Sequence, residues 1–137
     1  MNRMNDCIFC KIVAGEIPAE KLYEDERTLA FLDIHPLRSG HTLVIPKVHE
    51  PDIHHLDDDI FVAVMLTAKK MARIIEKELK PKRVGLLVAG WDVPHAHVHV
   101  VPMEDFHDLT SKILLENKRG NPMQEELAAM RERLAWR

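Results

Sequence analysis

The sequence predicts an α+β fold in which short strands form a mainly antiparallel sheet beside one long helix. Short apolar runs rich in β-branched residues lie on both sides of a single long amphipathic segment. The strands and helices do not alternate regularly, which argues against a parallel βαβ architecture. The chain has 137 residues and no repeat or Gly/Ser-rich linker. It therefore suits a single domain over residues 1–137.

The first part of the chain predicts a short helix and three strands. Residues 8–13 (IFCKIV) are apolar and predict an N-terminal helix of about one turn. Residues 21–24 and 28–32 are strand-like runs on either side of a charged turn, which is the pattern of an antiparallel hairpin. Residues 42–45 (TLVI) are short, apolar and β-branched, so they predict a buried strand.

Residues 57–80 carry the strongest helix signal. Three aspartates, Asp57 to Asp59, begin the segment at the end where the helix dipole favours negative charge. Pro81 ends it. Apolar residues recur at the three- and four-residue spacing of one helical face: Ile60, Val64, Ala68, Met71 and Ile75.

The part of the chain after this helix predicts two strands and a tail. Residues 84–89 and 93–102 are apolar, strand-like runs. Residues 103–137 form a more polar C-terminal tail. Within this tail, residues 122–134 predict an amphipathic helix with Pro122 at its first position.

Composition excludes several classes of function. Nineteen basic residues against twenty-two acidic ones give a formal net charge of −3, which argues against a nucleic-acid partner. No apolar run reaches the roughly 18 residues needed to cross a membrane. The N-terminal residues lack the apolar stretch of a signal peptide, so we expect a cytoplasmic protein.

Three histidines alternate along the last predicted strand. His95, His97 and His99 are separated by single apolar residues, and a strand has a side-chain period of two, so the three imidazoles should share one face. Such a row is difficult to explain by packing alone. Two functional interpretations remain: the face could bind a metal, or one imidazole could act as a nucleophile beside neighbours that stabilise charge on a phosphate.

At this point the sequence resembles the histidine triad (HIT) family, in its Hint-like, zinc-containing bacterial branch. The motif His95-Ala-His-Val-His-Val-Val matches the signature of that family. Further matching segments occur in the same order: Cys7-Ile-Phe-Cys-Lys-Ile, Gly15-Glu-Ile-Pro, Leu29-Ala-Phe-Leu-Asp-Ile and Gly40-His-Thr-Leu-Val-Ile-Pro-Lys. The resemblance extends from Cys7 to Pro102, and the tail lies outside it. It implies a HIT-like fold with about five antiparallel strands.

The resemblance also implies a role for individual residues. Members of this family attack the α-phosphate of a nucleotide conjugate through a covalent nucleotidyl-histidine, and the matching nucleophile here is His97. His99 and His41 match the histidines beside the phosphate or leaving group, and Asp33 matches the carboxylate that receives the ribose hydroxyls. Five apolar residues match the positions that line the base pocket: Ile8, Phe9, Phe31, Ile34 and Leu43.

The two cysteines have more than one interpretation. Cys7 and Cys10 could be a redox pair, half of a zinc site or two free thiols in the core, although a thioredoxin-like pair would require a βαβ context that is absent. In some bacterial members of the family, two cysteines bind zinc together with two histidines. The matching histidines here are His49 and His95. The resemblance therefore implies one structural zinc ion that is bound by four side chains.

We expect a nucleotide-binding hydrolase that cleaves at the α-phosphate of a purine nucleotide conjugate. The conjugate could be a phosphoramidate, an aminoacyl adenylate or a dinucleoside polyphosphate. The alternatives are a non-catalytic nucleotide- or zinc-binding signalling module, and a metal-dependent enzyme with all three triad histidines on one metal. The resemblance also implies a homodimer formed through the long helix and a strand edge, in which the C-terminal tail could reach the active site of the partner.

The sequence departs from the family pattern just before the triad. Residues 88–94 are shorter than the usual glycine-rich loop and lack the usual Asn. Asp92, or backbone N–H groups near Gly90, could replace the missing polar contact. Trp91 could stack on a leaving group, but packing at a subunit interface is the favoured interpretation. Four histidines match no motif position and are assigned no role: His35, His54, His55 and His107.

Overall fold

The computed structural model describes residues 6–109 and 120–136, and its centre is a five-stranded antiparallel sheet. The strands are ordered β1-β2-β3-β5-β4 across the sheet. This architecture confirms the predicted α+β fold with a sheet of about five antiparallel strands. The strands are β1 (Lys21–Glu24), β2 (Thr28–Leu32), β3 (Thr42–Pro46), β4 (Arg83–Leu87) and β5 (Val98–Met103).

The hairpin of β1 and β2 closes around one carboxylate. Asp25 Oδ1 accepts hydrogen bonds from the backbone N–H groups of Arg27 and Thr28, each at 2.8 Å. An aspartate that binds backbone amides further along the chain favours a tight turn. The predicted bounds of both strands agree with the structure.

One face of the sheet is covered by the long helix α2 (Asp58–Leu79). Its buried face consists of Val64, Thr67, Ala68, Met71 and Ile75. Lys80, directly after the last helical residue, has a left-handed backbone with φ of 49°. The helix is one residue shorter at each end than the predicted 57–80. The side chains of Ala30, Val44, Val98 and Val100 share its core cluster.

The opposite face of the sheet packs against the short helix α1 (Ile8–Val13). Because side chains alternate along a strand, the residues next to those facing α2 point to this second face. Leu29 and Phe31 of β2 lie there, with Leu43 and Ile45 of β3. The same alternation directs His97 and His99 away from the α2 core and toward α1.

Strand β5 begins later than the sequence predicts. We expected a strand over residues 93–102, but the antiparallel ladder starts where Val98 pairs with Val44. Pro94 has no N–H to donate, and Ala96 N–H donates instead to the carbonyl of Glu50 at 2.6 Å. His95 and His97 therefore lie on an irregular segment that leads into β5. The predicted strand over 84–89 is also displaced, to Arg83–Leu87.

The C-terminal helix α3 (Gln124–Leu134) packs on its own chain. Its Leu134 is fully buried in the α2 core, and Trp136 N–H donates to the Leu22 carbonyl of β1 at 2.7 Å. Arg131 forms an ion pair of 2.6 Å with Glu20. Residues 103–137 are thus more than a polar tail, although 110–119 lie outside the described residues. In the described part of the chain, no helix is long and apolar enough to span a membrane.

Candidate functional site

A cavity of about 290 Å³ lies between α1 and the sheet. Its walls are mostly apolar, with a few polar groups among them, which include Asp33, Asp92, His97 and His99. A cleft with apolar walls and a few converging polar groups is the usual form of a small-molecule site.

The structure fixes the orientation of His97. Its Nδ1 lies 2.7 Å from the His95 carbonyl oxygen, and a carbonyl can only accept, so Nδ1 carries the proton. In a neutral imidazole the lone pair then belongs to Nε2. The side chain is buried, and its ring meets Phe9 of α1 edge to face at 5.3 Å between centroids. The geometry presents a nucleophilic nitrogen beside the cavity.

A chain of hydrogen bonds likewise orients His99. The Leu37 N–H donates to His41 Nδ1 at 3.0 Å, so a neutral His41 carries its proton on Nε2. That nitrogen lies 2.9 Å from His99 Nδ1 and donates to it. Neutral His99 therefore carries its own proton on Nε2. The result is a hydrogen-bond donor next to the nucleophile, since the His97 and His99 ring centroids are 4.9 Å apart.

Asp33 lies immediately after β2, and its carboxylate is close to the ring nitrogens of His41 and His99. One carboxylate oxygen accepts the His35 N–H at 2.8 Å, and the other lies 3.6 Å from His41 Nε2. All six side chains predicted to bind the nucleotide line the cavity: Ile8, Phe9, Phe31, Asp33, Ile34 and Leu43.

The sequence argument missed part of the lining. His35 was assigned no role but contributes to the wall, and its position two residues after Asp33 was a usable signal. The other missed residues come from α1, the segment that follows it, strand β2 and the loop before the triad: Ile12, Ile17, Pro18, Ala19, Leu32 and Val93.

Asp92 lies against the proposed nucleophile. Its Oδ1 is 3.2 Å from His97 Nε2, and its side chain is 55% exposed. Burial acts to raise the pKa of this carboxyl, but its interactions with the nearby imidazole rings of His97 and His99 and a backbone hydrogen bond outweigh it. The pKa therefore lies below its ordinary value. Asp92 is thus a carboxylate at neutral pH.

A second cluster joins α1 to the segment that carries the triad. Cys7 Sγ lies 3.3 Å and Cys10 Sγ 3.5 Å from His95 Nδ1, and Cys10 Sγ lies 3.2 Å from His49 Nδ1. The four ligand atoms lie within 4.8 Å of one another. Ligands of a tetrahedral zinc ion are roughly 3.5 Å apart, because Zn–S and Zn–N bonds are about 2.0–2.3 Å long. The four residues therefore fit a zinc ion.

The surroundings of the cluster also suit a metal. His95 Nε2 lies 2.8 Å from the Pro46 carbonyl oxygen, so it donates there and leaves Nδ1 free to bind, the usual arrangement behind a histidine ligand. Burial lowers the pKa of His95, which keeps its imidazole neutral. Burial and the neighbouring Cys7 raise the pKa of the Cys10 thiol to about 12, so this thiolate requires a cation to stabilise it.

The chain resembles known proteins in sequence and in structure. The family model of the HIT domain matches residues 14–106. The chain belongs to the HIT family. A relative named Protein hit from Bacillus subtilis is 43% identical over 107 residues, which cover 74% of each chain.

Two further relatives in the HIT family bear on chemistry and on metal binding. An adenosine 5'-monophosphoramidase from Candida albicans is 37% identical over 108 residues, covering 72% of this chain and 71% of the relative. The crystal structure of a zinc-bound histidine triad family protein from Mycobacterium smegmatis superposes with a TM-score of 0.77. It is 33% identical and covers 96% of this chain and 94% of its own. The family thus includes hydrolases, and one solved neighbour binds zinc.

The remaining residues of interest lie outside the cavity. The rings of His54 and His55 are tilted by 58° to each other with centroids 4.4 Å apart, and His107 belongs to a short 3-10 helix. Trp91 is 92% exposed and does not line the cavity. None of these side chains lines the cavity or belongs to the cluster of two cysteines and two histidines.

Proposed function

We propose that the protein hydrolyses a purine nucleotide conjugate at its α-phosphate through a covalent nucleotidyl-His97. The observation that carries the proposal is the orientation of His97. Its Nδ1–H is bound to the His95 carbonyl at 2.7 Å, which leaves the Nε2 lone pair beside a cavity of nucleoside size. A nucleophile held by a hydrogen bond on its second nitrogen is the arrangement that covalent catalysis requires.

The two steps balance without a co-reactant other than water. In the first step, the Nε2 lone pair of His97 bonds to the α-phosphorus and the bond to the leaving group breaks. The leaving group departs with that electron pair and with a proton from the medium. In the second step, water attacks the phosphorus, its proton is released, and the electron pair of the P–N bond returns to Nε2. The net reaction adds one water across the conjugate.

The other polar groups supply binding and charge stabilisation. The Nε2–H of His99 can donate to a phosphoryl oxygen or to the leaving atom, where it stabilises the charge that develops. Asp33 can accept two ribose hydroxyls, and a charged acceptor makes such hydrogen bonds strong. The apolar side chains around Phe9 and Phe31 can hold the flat base.

The decisive experiment compares wild type with His97→Ala in a fluorogenic adenosine phosphoramidate assay. We expect wild type to turn over and the variant to lose at least about a thousandfold in kcat, because no other group supplies the nucleophile. AMP binding should persist in the variant. His54→Ala removes an exposed imidazole outside the cavity and serves as the matched control.

Other outcomes of the same assay favour the alternatives. Equal turnover in wild type and His97→Ala would remove His97 from the mechanism. AMP binding with no turnover of any conjugate by wild type would favour the non-catalytic module.

The three imidazoles of the triad do not converge on one point: His95 Nδ1 faces the cysteines, whereas His97 and His99 face the cavity. This division disfavours a single metal on all three.

We also propose that the Cys7, Cys10, His49 and His95 cluster holds one structural zinc ion per chain. The donor distances, the Pro46 carbonyl behind His95 and the zinc-bound relative support it. When bound, zinc would supply a cross-link and would not touch the substrate. Zinc binding requires that both cysteines stay reduced, as they do in a reducing compartment. This requirement supports our proposal of a cytoplasmic location.

A homodimer is the assembly we propose. Strand β4 is an edge of the sheet, and its Leu86 is 44% exposed. On α2, Val62 and Leu66 are 50% and 53% exposed. Exposed apolar side chains beside an open strand edge favour association of two chains.

A further inference from the structure

The loop before the triad places a carboxylate at the position of the reacting phosphorus. Asp92 Oδ1 lies 3.2 Å from His97 Nε2. Reacting atoms that are poised for attack are about 3–3.5 Å apart. Oxygen and nitrogen atoms of Asp92, His97 and His99 all lie within 4.8 Å of one another. The carboxylate therefore occupies the space between the two imidazoles that a phosphoryl group must enter.

A carboxylate cannot act as a hydrogen-bond donor to the phosphate. An ionised carboxylate only accepts hydrogen bonds, and so do the oxygens of a phosphoryl group. The two groups would compete for the same space beside His97 and His99 and repel each other. Asp92 must therefore move aside when a nucleotide binds. Because it is tethered on the adjoining loop, its negative charge stays next to the bound phosphoryl group.

Among the described residues that line the cavity, no lysine or arginine offsets this charge. A leaving group that carries further phosphates would bring more negative charge to an end of the cavity that already holds a carboxylate. A leaving group with an amine or ammonium would instead be attracted to Asp92.

We infer that Asp92 is a specificity-determining residue, which selects nucleotide conjugates whose leaving group is uncharged or cationic and which weakens binding of anionic ones. The favoured substrates are phosphoramidates and other conjugates with amine-bearing leaving groups, whereas dinucleoside polyphosphates are disfavoured. This inference rests on the proposed function, because it names the substrate class of the same site. It also gives the released nucleotide monophosphate a low affinity.

The first test measures binding without turnover. Calorimetry with AMP and with adenosine is carried out on wild type, Asp92→Asn and Asp92→Ala. We expect both variants to bind AMP at least about tenfold more tightly, since a repulsive charge beside the phosphate is removed. Adenosine, which has no phosphate, should bind with unchanged affinity. Asp52→Asn makes the same charge change on the nearby surface outside the cavity and should alter neither affinity.

Two results of the binding test would overturn the inference. Unchanged or weaker AMP binding in both Asp92 variants would mean that the carboxylate does not compete with the phosphate. An equal gain for AMP and adenosine would mean that the substitution merely opens the cavity. Asp92→Ala guards against a gain that comes only from the new amide donor of asparagine.

The second test measures the selectivity itself. The ratio of kcat/KM for an adenosine phosphoramidate with an ammonium-bearing leaving group to kcat/KM for diadenosine tetraphosphate is compared between wild type and Asp92→Asn. We expect the variant to lower this ratio at least about tenfold, and an unchanged ratio would refute the selectivity. If wild type turns over no conjugate, the proposed function fails, yet the AMP and adenosine affinities still decide the role of Asp92.

Discussion

The proton on His99 is positioned by hydrogen bonds that begin at the backbone amide of Leu37. That amide donates to His41 Nδ1 at 3.0 Å, and His41 Nε2 lies 2.9 Å from His99 Nδ1. The loop between β2 and β3, which carries Leu37, is held by the backbone N–H of His41, which donates to the Arg38 carbonyl at 2.9 Å. His41 thus acts through His99, and we regard it as a positioning residue in the proposed reaction.

Replacing His41 tests this arrangement. His41→Leu removes the donor to His99, so we expect kcat for the phosphoramidate to fall about 100-fold while KM changes little. His41→Gln keeps an amide N–H near the position of Nε2 and should recover part of the activity. Thermal unfolding of both variants is the control for stability. If both variants lose activity equally and melt at the same lowered temperature, the role of His41 is structural only.

At the residue scale, the sequence could predict which side chains face the cavity but not their mutual geometry. His97 and His99 follow from the period of two in a strand. The position of Asp92 does not, because an irregular loop has no period from which a direction can be read. The contact of Asp92 with His97 depends on the turn at Gly90, with φ of 68°, and on the packing of the loop. The sequence offered Asp92 as a possible replacement for the missing polar contact, and only the structure places its carboxylate 3.2 Å from His97 Nε2.

At the element scale, α1 depends on tertiary contacts. A helix of six residues is too short to be stable alone. Phe9 and Ile12 anchor it on the sheet, and Cys7 and Cys10 connect it to His49 and His95. Since Ile8 and Phe9 also line the cavity, a zinc ion in this cluster would hold one wall of the nucleotide site in place.

Removing the metal should therefore weaken both stability and binding. We expect protein purified without a His-tag to contain one zinc ion per chain by elemental analysis. A strong chelator should remove the ion, lower Tm and weaken AMP binding. Cys10→Ser should bind no zinc, whereas His54→Ala should bind as wild type does. A fully stable wild type that contains no metal would contradict the zinc proposal.

The stabilisation by zinc should decrease as the pH falls. Zinc must displace the Cys10 proton, and the pKa of that thiol is raised to about 12 in the metal-free chain. Protons and zinc therefore compete at every pH below that value, and the gain in Tm caused by zinc should shrink steadily as the pH is lowered.

The elements themselves were predictable where a simple period governs them. Helix α2 keeps one apolar face throughout its length, and its two ends have the aspartates and the proline that helix termini favour. Strand β5 was predicted too long because the alternation of histidine and apolar residues continues through His95 and His97. Pro94 and the hydrogen bond from Ala96 N–H to the Glu50 carbonyl prevent the ladder from extending that far. Alternation reports which side chains are buried, and not whether the backbone pairs.

At the scale of the whole molecule, α3 belongs to the core of the domain. Leu134 is fully buried and Leu127 nearly so. Residues 120–122 and part of α3 also line a second cavity, of about 450 Å³, which shares Leu32 and Asp33 with the proposed nucleotide cavity. The polar composition of residues 103–137 did not indicate this packing, because only two leucines of the short amphipathic helix are buried. The reach of the tail into a partner's active site stays a prediction.

The exposed apolar surface predicts the assembly. The buried face of α2 packs against the sheet. On another side of the helix, Phe61, Val62 and Leu66 are 39–53% exposed. The edge of β4 is unpaired within the described residues, and Trp91 just beyond it is 92% exposed. Contiguous apolar surface of this kind on a folded domain marks an interface. We therefore expect wild type to sediment at twice its chain mass of 15.8 kDa.

Charged substitutions on α2 should separate the two chains. In the double variant Val62→Asp and Leu66→Glu, two carboxylates would be buried in the dimer without partners, so we expect a monomer at micromolar concentration. Lys77→Glu changes the charge on an exposed part of the same helix that is rich in polar residues and should remain dimeric. Tryptophan emission gives an independent readout, because Trp91 is exposed in the single chain and should shift to longer wavelength if the dimer had covered it. A wild type that sediments as a monomer, or a double variant that stays dimeric, would exclude this face of α2 as the interface.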